Sequence, residues 1–471
     1  MIDMDLKAPP RKLRSWEAAA LSIGFMGPVL AMALNGIGVA GLVGTAVPLT
    51  FLVAFAGTCL IAYGFVRLTR KFNHAGSVYA LAGHTIGPRA GFFGGFALLG
   101  TYLAFAACTL AACGVFFGAW LDQSGIANKT PWILVSAAAG VLVLLANLRE
   151  SRFVTSILLA IGGTGILLML GLGVVILYQV STGAAPVSEP ADLTPFTFAG
   201  TTPGIIMTAS VFAFLSWAGF ESCASLGEET RNPKKAIPLA LGGSVVGAGI
   251  IYVFIMYVQT VGFGNSAAGA AGFAASESSL TQLAAQYIGP GYAQLLAFSA
   301  FAVAFASTLS STASGARLVF ALARDGFGPA SLGKLNPKTG TPTRAVVAVF
   351  AVTLTMALIL FLSGVGAFDS YYWYATVAVL CLLVAYGTTT VGVIMHILRA
   401  DSGIPRWELL MPVLGLAYLC YVFFVQTVGQ EAPYSYFPYI AAAWCLLGFI
   451  VILARPSLAR SIGDRLVNEQ N

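Results

Sequence analysis

The sequence predicts an all-α integral membrane protein with twelve transmembrane helices. Composition is the first reason. Of 471 residues, 58% are hydrophobic and 9% charged, with a mean hydropathy of +0.86. Soluble domains carry about 25% charged residues, so this chain cannot cover a water-facing surface. The second reason is segmentation: apolar residues fall into twelve runs, each near the roughly 20 residues that a bilayer core requires. The third is that Lys and Arg gather in every second loop. The short alternating segments of about ten residues that mark a β-barrel are not found. The 53 glycines suit close helix–helix approach in lipid. A net charge of +6 then reports orientation in the bilayer, and no nucleic-acid partner is expected.

Taken in order, the spans run approximately over 17–42, 46–67, 91–121, 131–148, 153–178, 204–227, 237–263, 291–322, 344–365, 370–398, 408–428 and 434–454. Lys7, Arg11, Lys12 and Arg14 precede span 1. Arg67, Arg70, Lys71 and Arg89 follow span 2, and Arg149 and Arg152 follow span 4. Arg231, Lys234 and Lys235 follow span 6; Arg324, Lys334, Lys338 and Arg344 follow span 8. Arg399 and Arg406 follow span 10, and Arg455, Arg460 and Arg465 lie in the tail. The opposite side offers only Lys129. By the positive-inside rule both termini are expected in the cytoplasm. The first apolar run is too long for a cleaved signal peptide, and the expected location is a bacterial inner (plasma) membrane.

Three loops stand out. His74 to Gly87 reads as a short amphipathic helix with Val78, Ala82 and Ile86 on one stripe, either an interfacial linker or a gating element. Gly264 to Gly289 carries Leu280, Leu283, Ala284 and Tyr287 at helical spacing and reads as an external lid. Gln179 to Thr202, with Pro186, Pro190 and Pro195, separates the first five spans from the next five. The tail after Arg455 is expected to be solvated and disordered.

Two spans are interrupted near mid-membrane. In span 1, Ser22-Ile23-Gly24-Phe25-Met26-Gly27-Pro28 puts two glycines and a proline in the lipid core. Proline removes a donor and leaves the carbonyl of Gly24 without its helical partner, and in a bilayer such groups must be satisfied by protein, water or ligand. In span 6, Ser216-Trp217-Ala218-Gly219-Phe220-Glu221 places a carboxylate well inside the membrane. There it costs about 2.5–3.5 kcal/mol, so such a residue faces a cavity or a partner. Each of these spans is the first of a five-span half. Interrupted segments in corresponding positions of two halves point to a transporter binding site.

The span 6 run, followed by Glu228-Glu229-Thr230-Arg231-Asn232-Pro233-Lys234-Lys235-Ala236-Ile237-Pro238, resembles the signature of the amino acid–polyamine–organocation superfamily of permeases. Phe72-Asn73-His74-Ala75-Gly76-Ser77-Val78-Tyr79 resembles its cytoplasmic Ala-Gly-Ser-x-Tyr element, and Arg317 with Ala323-Arg324-Asp325-Gly326 resembles the end of its span 8. The resemblance covers roughly residues 15–455. It implies a leucine-transporter-like fold, two inverted five-helix repeats plus two extra helices, and secondary transport of an amino acid or small amine by alternating access. The division it implies is a cytoplasmic segment 1–15, a first repeat 16–178, an external linker 179–203, a second repeat 204–398, spans 11 and 12 over 399–455, and a tail 456–471.

Carried over, the resemblance puts the broken part of span 1 on Ile23, Gly24, Phe25, Met26, Gly27 and Pro28. Free backbone amides there would meet the substrate carboxylate, since half-helix N-termini favour anions. The substrate ammonium would meet carbonyls of Ser216, Trp217, Ala218 and Gly219, with Trp217 or Phe220 closing over the side chain. Glu221 would link the unwound segments or take part in gating. Many relatives have a Gly-Ser-Gly run where this chain has Gly27-Pro28-Val29. Pro28 offers no amide, which makes room for an amine without a carboxylate. Tyr102 and Tyr374 could face the cavity or simply pack.

No cofactor is expected beyond a coupling ion, proton or sodium. Span 5 lacks the lysine of some proton-coupled relatives: the run from Phe153 to Leu177 holds no ionisable residue, and Tyr178 is the first. In span 8, Ser307, Ser311 and Ser314 recur at i, i+4 and i+7, with Thr308 and Thr312 beside them. With span 1 carbonyls they would form an oxygen site for sodium, or else they bond their own helix and pack. Glu221 is the other candidate, as a proton carrier.

Other motifs carry less. Gly36-Ile37-Gly38-Val39-Ala40-Gly41 matches a dinucleotide fingerprint but follows an apolar helix instead of a strand. His74, His84 and His396 lack metal spacing and read as surface or interface residues; Asn128-Lys129-Thr130 fits a glycosylation sequon. The seven cysteines sit in apolar runs and read as packing residues. A membrane enzyme is disfavoured by the lack of clustered acids, histidines or nucleophile–base pairs in the spans. A sensor that binds without transport does not require two broken halves. The substrate's identity, the coupling mode and the oligomeric state stay open.

Overall fold

The computed structural model describes residues 13–72, 74–126, 130–399 and 403–454. Lys7, Arg11 and Lys12, Asn73, the sequon residues Asn128 and Lys129, and Arg455, Arg460 and Arg465 lie outside the described residues. Among the described residues the secondary structure is helical, and eleven helical segments are long and apolar enough to cross a membrane. The twelfth expected span is an apolar helix of 16 residues, α6 (Trp132–Asn147).

The first half comprises α1 (Ser15–Met26), α2 (Pro28–Val43), α3 (Val47–Thr69), α4 (Val78–Thr85), α5 (Pro88–Gln123), α6 and α7 (Ser151–Thr182). The second comprises α8 (Pro203–Phe214) with a 3-10 continuation, α9 (Pro233–Phe263), α10 (Ala267–Ala274), α11 (Ser279–Tyr287), α12 (Pro290–Arg324), α13 (Thr343–Leu362) and α14 (Ala367–Leu398). Two further helices, α15 (Leu410–Thr427) and α16 (Phe437–Ala454), complete the chain's leucine-transporter-like fold. Four crossings lie between the two broken helices, so span 6 runs antiparallel to span 1 and the second half enters the bilayer from the opposite face.

Proline marks many starts: α2, α5, α8, α9 and α12 each begin on one. Its fixed φ suits a first helical turn, and its missing N–H is not needed there. Burial separates centre from periphery. The most apolar stretch of the α1–α2 span is 78% buried, and those of α5 and α12 are 72%. Those of α13 and α16 are only 28% buried, so their side chains face lipid.

Two loop expectations change in detail. Helix α4 is not an amphipathic surface helix: Val78 to Gly83 are all buried, because Gly91 on α5 lets that helix approach closely. A Cβ on Gly91 would lie 2.6 Å from the Tyr79 carbonyl. The segment between α9 and α12 forms α10 and α11, and Leu280, Leu283, Ala284 and Tyr287 of α11 are buried. Ser279 donates to the carbonyl of Ala33 at 3.2 Å, tying α11 to α2.

Candidate functional site

Span 1 breaks at one residue. Gly27 has φ +56° and ψ +66°, the left-handed region that glycine adopts without penalty. Its N–H closes α1 on the Ile23 carbonyl at 3.1 Å, and its carbonyl opens α2 by accepting from Ala31 at 2.9 Å. Pro28 is therefore the first residue of α2 instead of a kink within a helix. The first-turn amides of α2 that remain are those of Val29 and Leu30.

Span 6 breaks over two residues. Helix α8 tightens into a 3-10 turn over Leu215–Trp217, Ala218 is extended at ψ 129°, and Gly219 is left-handed at φ +88°. A second 3-10 segment then covers Phe220–Leu226. A Cβ on Gly219 would overlap the Phe25 ring, so the two breaks touch through that contact.

Beside this contact lies Glu221, fully buried. Tyr102 of α5 donates to its Oε1 at 2.9 Å, and Tyr386 of α14 donates to Oε2. Two hydrogen bonds to a carboxylate, each worth about 1.5–3 kcal/mol, offset much of its insertion cost. Phe25 stacks on Phe105 at 4.6 Å and packs against Tyr102 at 5.5 Å, filling the space next to the carboxylate. Further bonds join the broken spans directly. Ser22 donates to the Phe220 carbonyl at 2.7 Å, and Asn35 donates to Ser216 Oγ at 2.9 Å.

Several expected residues point elsewhere. Trp217 stacks on Phe55 at 6.0 Å, meets Tyr252 at 5.1 Å and donates to the Val245 carbonyl at 3.4 Å, so it faces α3 and α9. Phe220 packs on Phe65 at 5.4 Å and Tyr386 at 5.0 Å. The aromatic ring between the breaks is therefore that of Phe25. Gly24 marks close contact with span 5: a Cβ there would lie 2.9 Å from Leu158. Ile23 also faces span 5, where a Cβ on Gly162 would meet it at 3.9 Å. Met26 is buried. Tyr374 donates to the Met356 carbonyl of α13 at 2.6 Å and turns away from Glu221.

Span 8 meets span 1 through Ser307, which is in the expected stripe, and Ser310, which is not. Ser307 donates to the Phe25 carbonyl and Ser310 to the Leu21 carbonyl, both at 2.6 Å. Ser311 donates to the Ser307 carbonyl at 2.8 Å, and Thr308 to Thr109 Oγ1 at 2.9 Å and the Ala304 carbonyl at 3.0 Å. Thr312 is buried, and Ser314 Oγ is buried without a partner. Among the described residues no group of three His, Cys, Asp or Glu could hold a metal.

The end of the bundle that gathers the basic loops is interlocked. Arg324 bonds both oxygens of Glu228 at 3.1 Å and approaches His74 Nε2 at 2.6 Å. Arg317 donates to Glu229 at 2.8 Å and to Ser151 at 2.8 Å. Leu13 pairs with this loop, donating to the Glu229 carbonyl at 3.1 Å and accepting from Arg231 at 2.8 Å. His74 and His396 are buried in this end instead of lying on its surface, and His84 stacks on Phe72 at 4.6 Å. Burial pushes the Glu228 carboxyl up, but the charges of His74 and Arg324 and the hydrogen bonds from Arg324 and Ala75 outweigh it, holding it at about 2. Its folded value lies below the ordinary 4.5. Its stabilisation is therefore complete above that value and lost as pH falls toward 2. Glu229→Gln should weaken this interlocked end by about 3 kcal/mol, the cost of breaking a largely buried pair. The check is a lower melting temperature and faster proteolysis of the basic loops; unchanged values would remove the pair from this role.

Sequence reasoning misses Ser22 as a linking residue, Asn35, Tyr386 and the Glu228–Arg324 and Glu229–Arg317 pairs. For Tyr386 the available signal is depth. The midpoint of α14 falls at about residue 382, nearer to Tyr386 than to Tyr374, and a mid-membrane carboxylate needs partners at its own depth.

Comparison with known proteins agrees with this architecture. The chain is 25% identical to the low-affinity putrescine importer of Escherichia coli over 336 residues, 71% of this chain and 72% of that protein. It is 24% identical to the branched-chain amino acid permease of Lactococcus lactis over 478 aligned positions, 94% of each chain. It is 22% identical to the methylthioribose transporter of Bacillus subtilis, over 72% of each. The match to the amino acid permease family extends over residues 13–452, and the chain belongs to that family.

Proposed function

We propose that this chain moves an amino acid or small amine across the membrane by alternating access, as a secondary active transporter with both termini in the cytoplasm. The observation that carries the reading is Glu221, buried beside the two broken helices and clasped by Tyr102 and Tyr386. A substrate ammonium would be held by carbonyls of the span 6 break, with Glu221 setting the local potential. A carboxylate, where the substrate has one, would meet the amides of Val29 and Leu30. Pro28 removes one amide from that turn, which favours the amine end of the range. In this reading the basic end is cytoplasmic, and its ion pairs close the path below Glu221.

The coupling ion we propose is the proton. Ser307 and Ser310 already commit their protons to the span 1 carbonyls at 2.6 Å. Glu221, by contrast, is a carboxylate at the break itself that can gain and release a proton as access alternates. Accumulation in proteoliposomes driven by an imposed proton gradient, and unaffected by a sodium gradient at clamped pH, is the expected result. Sodium-driven accumulation would overturn the coupling assignment. Binding without any accumulation would favour a sensor.

A further inference from the structure

The inner half of span 6 is wound unusually. Phe220–Leu226 forms seven residues of 3-10 helix, all buried. Runs longer than three or four residues are uncommon because the hydrogen bonds are poorly aligned, so a run of this length needs support from outside. At its ends the pairing is regular: Ser222 donates to Gly219 at 3.0 Å and Gly227 to Ala224 at 3.1 Å, each to the residue three earlier. Between them one such pair is bridged by another helix. The Phe220 carbonyl accepts from Ser22 Oγ at 2.7 Å, and the Cys223 N–H donates to the same Ser22 Oγ at 3.1 Å. A hydroxyl from span 1 thus contacts both ends of one 3-10 turn in the backbone of span 6.

We infer that Ser22 is a positioning residue: by bridging Phe220 and Cys223 it holds this segment in 3-10 winding and keeps Glu221 turned toward Tyr102 and Tyr386. The size of the effect follows from helix geometry. A 3-10 helix advances about 120° per residue and an α-helix about 100°. The lower end of the segment is anchored by the ion pairs of Glu228 and Glu229. Rewinding to α over the six steps from Gly227 back to Glu221 would rotate the carboxylate by about 120° and shorten the segment by about 3 Å. Either change removes Glu221 from both tyrosines. Ser22 rides on α1, so displacement of α1 withdraws the bridge and frees the rewinding. The motion of one broken helix is thereby transmitted to the carboxylate on the other.

This inference rests on the role proposed for Glu221, and the test separates the two. Ser22→Ala, Ser22→Thr, Glu221→Gln and the double variant Ser22→Ala/Glu221→Gln are reconstituted, and uptake is measured across a pH series. Ser22→Ala is expected to lower net uptake about tenfold and to shift its pH profile, while Ser22→Thr, which keeps the hydroxyl, retains most of the rate. Because Ser22 acts through Glu221, the double variant should be no slower than Glu221→Gln alone, whereas independent sites would multiply their losses. Multiplied losses, an unshifted pH profile, or wild-type uptake by Ser22→Ala would overturn the inference. Should Ser22→Ala fail to insert, Ser22→Cys, similar in size and a weaker donor, replaces it in the same cycle. Wild-type uptake by Glu221→Gln would instead remove the reading of the site itself.

Discussion

Glu221→Gln should lower net uptake about 100-fold while leaving the protein inserted and folded, the loss corresponding to roughly 3 kcal/mol from two charge-assisted hydrogen bonds. Insertion should not suffer, because a neutral amide at this depth is cheaper than a carboxylate. Tyr102 can still donate to the amide oxygen, and the Tyr386 hydroxyl can rotate to accept from the amide nitrogen. The fold therefore survives, but the charge that responds to substrate and proton is gone. Tyr102→Phe and Tyr386→Phe each remove one of the two bonds and should cost about tenfold apiece, near the lower end of the range for a bond to a charged group. Exchange of external for internal substrate needs no net proton movement, so Glu221→Gln should keep more of its exchange than of its accumulation. Full accumulation by Glu221→Gln would show that the carboxylate is not the responsive group.

What is legible in the sequence divides along physical lines. The spans are legible because each is a local property, a run of apolar residues closed by Pro, Gly or charge. The breaks are legible for a related reason. Gly27-Pro28 and Ala218-Gly219 have backbone preferences that do not depend on neighbours. Side-chain direction is not legible. Trp217 and Phe25 are both apolar aromatics near a break, and only the packing of α3 and α9 draws one outward while Gly219 leaves room for the other. In span 8, sequence spacing suggests Ser307, Ser311 and Ser314. The stripe that meets span 1 is Ser307 with Ser310, since i and i+3 share a face as readily as i and i+4. The partners of Glu228 and Glu229 come from helices far away in the chain, and no local pattern announces them.

The contact between the breaks yields the other large effect. Gly219→Ala is expected to destabilise the protein by about 2–5 kcal/mol, combining roughly 1–2 for a left-handed non-glycine residue with about 1–3 for overpacking. The backbone component arises because φ is +88°, where a Cβ crowds the carbonyl. The packing component arises because the new methyl would occupy the space of the Phe25 ring. The two can be separated. Phe25→Leu removes ring atoms from the contact, so Phe25→Leu/Gly219→Ala should recover the packing part and leave the backbone part, a coupling that a double-mutant cycle reads directly. Melting temperatures of the four proteins supply the stability axis, and uptake supplies the functional one. If the two breaks must meet for the path to close, the single Gly219→Ala variant should lose transport more completely than its stability loss explains. Additive behaviour of the two substitutions would mean that Phe25 and Gly219 do not touch in the working protein.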